Sequence, residues 1–183
     1  MTILSFNAGS GDCWGDNDGN FSNSGTFLWL AGTNGIDFDV RTWIPFVVNL
    51  PSLLITSAVI RWVASQTRSD AVDVRIACEA SDNAASPVDN GGLLGRTLTS
   101  SKVFTSLEAY TTGVSYSYDI TGPVQEVLNR SGWVYGNTLA VIVDDDGTIN
   151  DRRRQIASYE NGTYARAILD ITYNAYIPQS GMI

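Results

Sequence analysis

An apolar residue recurs at every second position in one segment of this chain after another, and that period constrains the fold more than any other feature. In SAVIRWVAS, Ala58, Ile60, Trp62 and Ala64 share one parity, and Val59, Arg61, Val63 and Ser65 share the other. That period is the signature of a strand with one buried face. AVDVRIACE puts Val72, Val74, Ile76 and Cys78 on the inner parity and Asp73, Arg75 and Glu79 on the outer. A one-residue slip would bury the charges, so the pattern also fixes the register. GVSYSYDI, with Val114, Tyr116, Tyr118 and Ile120, and ARAILDITY, with Ala167, Leu169, Ile171 and Tyr173, repeat the alternation. TLAVIV, running into Asp144, is apolar at both parities, as suits a central strand covered on two faces. FLWLA and the stretch from Phe38 to Val48 add two more strands, the second confined by Pro45 to an edge or a bulge.

Between these runs, GSGDCWGDNDGN, SDNAASPVDNGG and DDDGTIND carry the Gly, Asn, Asp and Pro content of turns and read as loops. One segment, TGPVQEVLNRSGW, departs from the strand period. Thr121 or Asp119 supplies an N-cap, Pro123 suits a first turn, and Val124, Val127 and Leu128 share a helical face before Gly132. The expectation is a short helix over about 121–130 that closes one end of a two-sheet sandwich. With 183 residues, 44% of them hydrophobic, the chain reads as one all-β domain. In that reading residues 1–25 form a loop-rich N-terminal arm and 174–183 an apolar C-terminal tail.

The formal charge of −8 sets net repulsion against a phosphate backbone, which argues against nucleic acid as a partner. Arg152, Arg153 and Arg154 are a local exception, read either as a solvated loop or as a contact for an acidic partner. A chain with no histidine has no Ser-His-Asp, Cys-His or His-metal arrangement. An enzyme built on it would need carboxylates alone. Asp144, Asp145 and Asp146 are adjacent, but neighbours at a strand end point in different directions, so no catalytic residue is assigned. No apolar run is long enough to span a bilayer, so no membrane partner is expected. The opening MTILSFNAGSGDCW lacks a basic n-region with a long apolar stretch, so synthesis without export is expected.

The remaining candidates are binding groups. No cofactor is required, although Asp16 and Asp18, or Asp144 and Asp146, offer hard oxygen ligands that suit calcium. Neither run completes an EF-hand, and Asp-rich turns commonly bond their own backbone. Trp14, in a Gly/Asp loop, is the candidate exposed aromatic anchor, for a subunit interface or for a glycan. In the tail, Tyr176, Ile177, Met182 and Ile183 dock on a neighbouring subunit or shell, or fold back on the domain. MTILSF adds a strand to its own sheet or to another chain. Cys78 reads as a buried thiol, with a disulfide to Cys13 left open.

The order of these pieces resembles a known family. RTWIPFVVNLPSLLITSAVIRWVAS, through Arg41, Ile55, Thr56, Ser57 and Ala58, is similar to the opening of DNRLRE-like, carbohydrate-binding-module-like jelly rolls. YDITGPVQEVLNRSGWVYGNTLAVIV resembles their Asp-Ile-Thr, short-helix, Gly-Trp, Gly-Asn, apolar-strand segment, and RRRQIASYENGTYARAILDITY resembles their closing strands. The resemblance runs from about Arg41 to Tyr173 and implies a two-sheet antiparallel jelly roll. Such domains occur in bacterial surface proteins and in phage virions. A lone acidic sandwich without an export signal is closer to the second group. The expectation is therefore a capsid decoration or cement protein, assembled in the host cytoplasm and located in the virion. It would form a homo-oligomer, a trimer, and bridge the major capsid protein or another virion protein. The alternative is a carbohydrate-binding module or receptor-binding tail component that recognises a glycan.

Overall fold

The computed structural model describes residues 1–32, 40–148 and 152–174. Its strands are β1 (Thr2–Asn7), β2 (Cys13–Asp16), β3 (Phe21–Ser22), β4 (Phe27–Leu30), β5 (Val40–Val47), β6 (Ile55–Val63), β7 (Val72–Cys78), β8 (Val103–Leu107), β9 (Ser115–Asp119), β10 (Thr138–Asp145), β11 (Arg154–Ala157) and β12 (Ile168–Tyr173). Two short helices, α1 (Asn90–Leu94) and α2 (Thr121–Leu128), complete the described elements. A four-stranded sheet runs β1-β12-β6-β9 and a six-stranded sheet β3-β2-β5-β10-β7-β8, antiparallel throughout. Leave out β2, β3 and the separate β4–β11 pair, and the remaining strands switch between the sheets in the order of a jelly roll, with only β7 and β8 consecutive in one sheet. The all-β sandwich expected from the alternating pattern is the observed architecture.

The inner parities named above form the main core. Ala58, Ile60 and Trp62 of β6, Val72, Val74, Ile76 and Cys78 of β7, and Leu169 and Ile171 of β12 are all buried together. Both faces of β10 are covered, but by different layers. Leu139, Val141 and Val143 face the space between the sheets. Ala140 and Ile142 face outward and pack with Cys13, Trp43, Ala84 and Leu93 in a second apolar cluster. The cover of that outer face is the segment 79–98, whose residues 81–92 read as a loop from sequence and which carries α1. Asp89 caps this helix by accepting from the Gly92 N–H at 2.6 Å. Glu79 anchors the segment: one oxygen accepts from Trp43 Nε1 and the other from Arg96 Nη1, each at 2.8 Å.

Two sequence expectations need correction. Strand β5, expected at an edge or bulge because of Pro45, lies inside the six-stranded sheet between β2 and β10. The Pro45 carbonyl accepts from the Gly9 N–H at 2.8 Å, so the imide nitrogen also faces that side, beyond the last β2 pair at Cys13–Trp43. That side carries only the isolated Ala8–Phe46 bridge and no continuous strand, so the missing N–H costs at most one bond and an interior proline is tolerated. Residues 1–25, expected as a loop-rich arm, carry three strands: β1 pairs with β12, and β2 and β3 extend the other sheet. MTILSF thus joins its own sheet. Both cysteines are free and buried, Cys13 in the outer apolar cluster and Cys78 in the main core.

Helix α2 forms where expected and closes one end of the sandwich with buried Pro123, Val124, Val127 and Leu128. Asp119 Oδ1 accepts from the Thr121 N–H at 2.8 Å, while Thr121 Oγ1 accepts from the Ala58 N–H at 2.9 Å. Gln125 stitches the helix to the β5–β6 connection, accepting from the Ile55 N–H at 2.8 Å and donating to the Leu53 carbonyl at 3.0 Å. Beyond the helix, Trp133 Nε1 donates to the Leu50 carbonyl at 3.0 Å. The 48–54 connection and the 130–137 turn are thereby held together.

Candidate functional site

The carboxylates of the 144–146 run point apart. Asp144, on the outer face, receives Arg41 Nε at 2.6 Å and Arg41 Nη2 at 3.0 Å, and Arg75 Nε and Nη2 at 3.1 and 3.0 Å. Asp145 turns to the amides of Gly32, Gly147 and Thr148, and burial raises its pKa against these donors. Asp146 is exposed. A cavity of about 240 Å³ beside this group has the Arg41–Asp144–Arg75 ion pairs in its wall. Asp144 and Asp145 both line it, but the first is engaged by Arg41 and Arg75 and the second by the amides of Gly32, Gly147 and Thr148.

Asp16 is committed to its own turn. Its Oδ1 accepts from the amides of Asp18 and Asn20 at 3.1 and 2.9 Å, and Oδ2 from Asn20 Nδ2 at 2.8 Å. Asp18 points to solvent. Among the described residues no group of three or more His, Cys, Asp or Glu side chains is placed to hold a metal ion. A calcium ion at Asp16 would have to displace the turn's own donors.

The three adjacent arginines do not form one patch. Arg154, a candidate contact for an acidic partner, is fully buried, so that reading is corrected. Its parity is that of Ile156, toward the interior, and its guanidinium donates to the carbonyls of Glu108, Arg153, Asp70 and Leu107. Burial lowers its pKa, and the group lies 5.3 Å above the Tyr110 ring. Arg153 lies over the ring of Trp29 at 4.0 Å, and Arg152 is half-buried.

Trp14 is not in a loop but on β2, half-buried against the main core. Its ring meets Trp29 edge to face, with centroids 6.2 Å apart and planes at 87°. Phe27 packs on the same Trp29 at 5.2 Å and 82°. A sugar ring needs an uncovered aromatic face, and here Arg153 covers one face of Trp29. Tyr176, Ile177, Met182 and Ile183 lie outside the described residues.

Sequence reasoning missed an apolar end. Ten large apolar side chains are exposed among the described residues, and six of them, Met1, Ile3, Val47, Leu54, Val134 and Tyr135, sit toward the same end of the sandwich, with Ile3 on the outer side of the four-stranded sheet and Val47 on the outer side of the six-stranded sheet. Strand register places them there: Thr2 pairs with Tyr173 and Tyr173 with Ile55, while Val47 pairs with Thr138. The Gly136 N–H donates to the Val48 carbonyl at 3.1 Å, which brings the Val134–Tyr135 tip beside the end of β5. Every one of the six is more than half exposed. The signal was present in Gly-Trp-x-x-Gly-Asn. Trp133 faces inward, and the two variable positions at the solvent tip are Val and Tyr where turns favour polar residues.

No protein-family model matches this chain, and no curated protein matches it. The family resemblance described above therefore rests on the residues quoted for it.

Proposed function

We propose that this protein is a virion structural protein, a capsid decoration or cement protein that works by docking. The observation that carries the reading is the collection of six exposed apolar side chains at one end of an otherwise acidic sandwich. Exposed apolar side chains concentrated toward one end of a domain suit a protein–protein contact. The platform is firm where docking needs it, because Trp133, Gln125 and the Gly136–Val48 bond hold both contributing loops. Burial of these side chains against shell subunits stabilises whichever assembled state presents the matching surface. The proposal includes a trimer and a location in the virion, with the major capsid protein or another virion protein as partner. The glycan alternative draws on Trp14 and Trp29, whose rings pack on one another and, for Trp29, under Arg153.

The test is co-sedimentation with purified particles of the phage that encodes the chain, using wild type, Leu54→Asp and Tyr135→Asp. Each side chain buries about 1.5–3 kcal/mol of transfer free energy on docking, so each substitution should weaken binding by roughly tenfold or more. Folding should be unchanged, since both residues are exposed. A wild-type protein that fails to bind particles, or variants that bind as wild type does, would overturn the proposal.

A further inference from the structure

The two large sheets leave four edge strands, β1 and β9 on one and β3 and β8 on the other. An open edge is a template for another chain, and proteins blunt it with shortness, charge, proline or a bulge. β3 is two residues long, and β8 is bracketed by Lys102 and Glu108. β1, TILSFN, has no charge, no proline and an unbroken register along β12 from Thr2 to Asn7. β9, SYSYD, carries one charge, at its last residue, Asp119.

The phase of each ladder fixes which backbone groups these edges present. The Ala8 N–H donates to the Ala167 carbonyl at 2.8 Å, in the register of β1 with β12. Thr2, Leu4 and Phe6 therefore bond β12, and Ile3, Ser5 and Asn7 turn their N–H and C=O groups outward. On the other edge, the Ala64 N–H donates to the Val114 carbonyl at 3.0 Å and the Ile120 N–H to the Ala58 carbonyl at 2.8 Å. Tyr116 and Tyr118 therefore bond β6, and Ser115, Ser117 and Asp119 face outward. All six outward residues are exposed, and their backbone N–H groups have no partner among the described residues.

We infer that β1 of one copy of this chain pairs with β9 of the next, and that this joint builds the trimer. Pairing β1 with a second β1 would leave β9 open in both copies, whereas β1 on β9 satisfies both edges with one kind of contact. The directions agree. Successive strands of the sheet β1-β12-β6-β9 are antiparallel, so β1 and β9 run opposite ways. Rotation about an axis along the strands keeps each direction, and β9 then meets the next β1 antiparallel. The outward residues match in number, three on each edge. Copies of net charge −8 repel one another, so a joint between them needs a neutral strip. β1 brings no charge to face Asp119, and on the outer face beside it Asp170 is already paired with Arg61 and bonded by Ser5 Oγ. A head-to-tail joint of this kind closes into a ring, and three copies make one of twelve strands.

The inference rests on the trimer proposed above and not on what that trimer binds, so it is tested on the free protein, apart from particle binding. Its mass in solution should be three times the 19.8 kDa of one chain. Ser5→Pro and Ser117→Pro each remove one outward N–H and no bond of the domain's own ladders. Both variants should keep the far-ultraviolet spectrum of wild type and fall to the mass of one chain. Amide exchange supplies a readout that needs no variant: in the assembled wild type the Ser5, Asn7, Ser115 and Ser117 amides should be protected, and on dilution to single chains they should exchange freely. A trimer in which these amides exchange freely, or variants that stay trimeric, would overturn the joint while leaving the trimer in place. If Ser117→Pro still associates where Ser5→Pro does not, β1 pairs with β1 and the joint is wrong. A wild type of one chain's mass with Ser5 and Asn7 protected would give the β1 edge to the chain's own segment 175–183 and would overturn the inference as well.

Discussion

Replacing Arg154 by Met takes a guanidinium out of a fully buried site and leaves the acceptors around it without donors. Nε serves the Glu108 carbonyl at 3.1 Å, Nη1 the Arg153 carbonyl at 3.2 Å, and Nη2 the carbonyls of Asp70 and Leu107. These acceptors belong to the connections at the β6–β7 and β8–β9 ends, so one side chain joins three parts of the chain. A buried acceptor stripped of its donor costs about 1–3 kcal/mol, and the Tyr110 contact adds about 1 kcal/mol. Methionine fills much of the volume and removes the desolvation of a charge, which offsets part of that. The expected net loss is about 3 kcal/mol. In urea, with a slope of about 2–3 kcal/mol/M, the unfolding midpoint should fall by about 1–1.5 M. Arg152→Ala, at a half-buried position, should stay within about 0.5 kcal/mol of wild type. An Arg154→Met midpoint equal to that of wild type would refute the assignment of this arginine to the interior.

Asp144→Ala leaves Arg41 and Arg75 facing each other without their shared carboxylate, and should cost about 2–4 kcal/mol in the same urea assay. Asp146→Ala should cost under about 0.5 kcal/mol, since that side chain is exposed. Trp133→Phe removes the bond to the Leu50 carbonyl and should lower stability by about 1 kcal/mol, whereas Trp133→Ala should cost about 3–5 kcal/mol and loosen the 48–54 connection. Burial pushes the Cys13 thiol up to about 12 and raises Cys78 as well. Neither should react with a thiol reagent at pH 8 until urea unfolds the chain, when both should.

Most of the strands were legible because they have one wet and one dry face, and that contrast is written directly into residue order. β6, β7 and β12 needed nothing else. β10 announced that both its faces were covered, but not by what. Its outer cover, the 79–98 segment, sets Ala84 and Leu93 among turn-forming Ser, Asn, Asp, Gly and Pro, and is held by the long-range chain from Trp43 through Glu79 to Arg96, which no local pattern reveals. Pro45 misled because an interior strand accommodates a proline where the side its nitrogen faces carries an isolated bridge and not a continuous ladder. The arginine run misled because composition was read before parity. In β11, Arg154 has the parity of Ile156, and a strand cannot turn both neighbours outward. The apolar end escaped because its six residues come from four separated segments that only the closed sandwich brings together.

The most direct test of the docking claim is hydrogen-exchange footprinting of the protein free and bound to its particles. Residues 1–3, 47–54 and 133–136 should gain protection on binding, while β4 and the neighbourhood of Trp14 exchange as in the free protein. Protection centred on Trp14 and Trp29 with the apolar end unchanged would contradict the account.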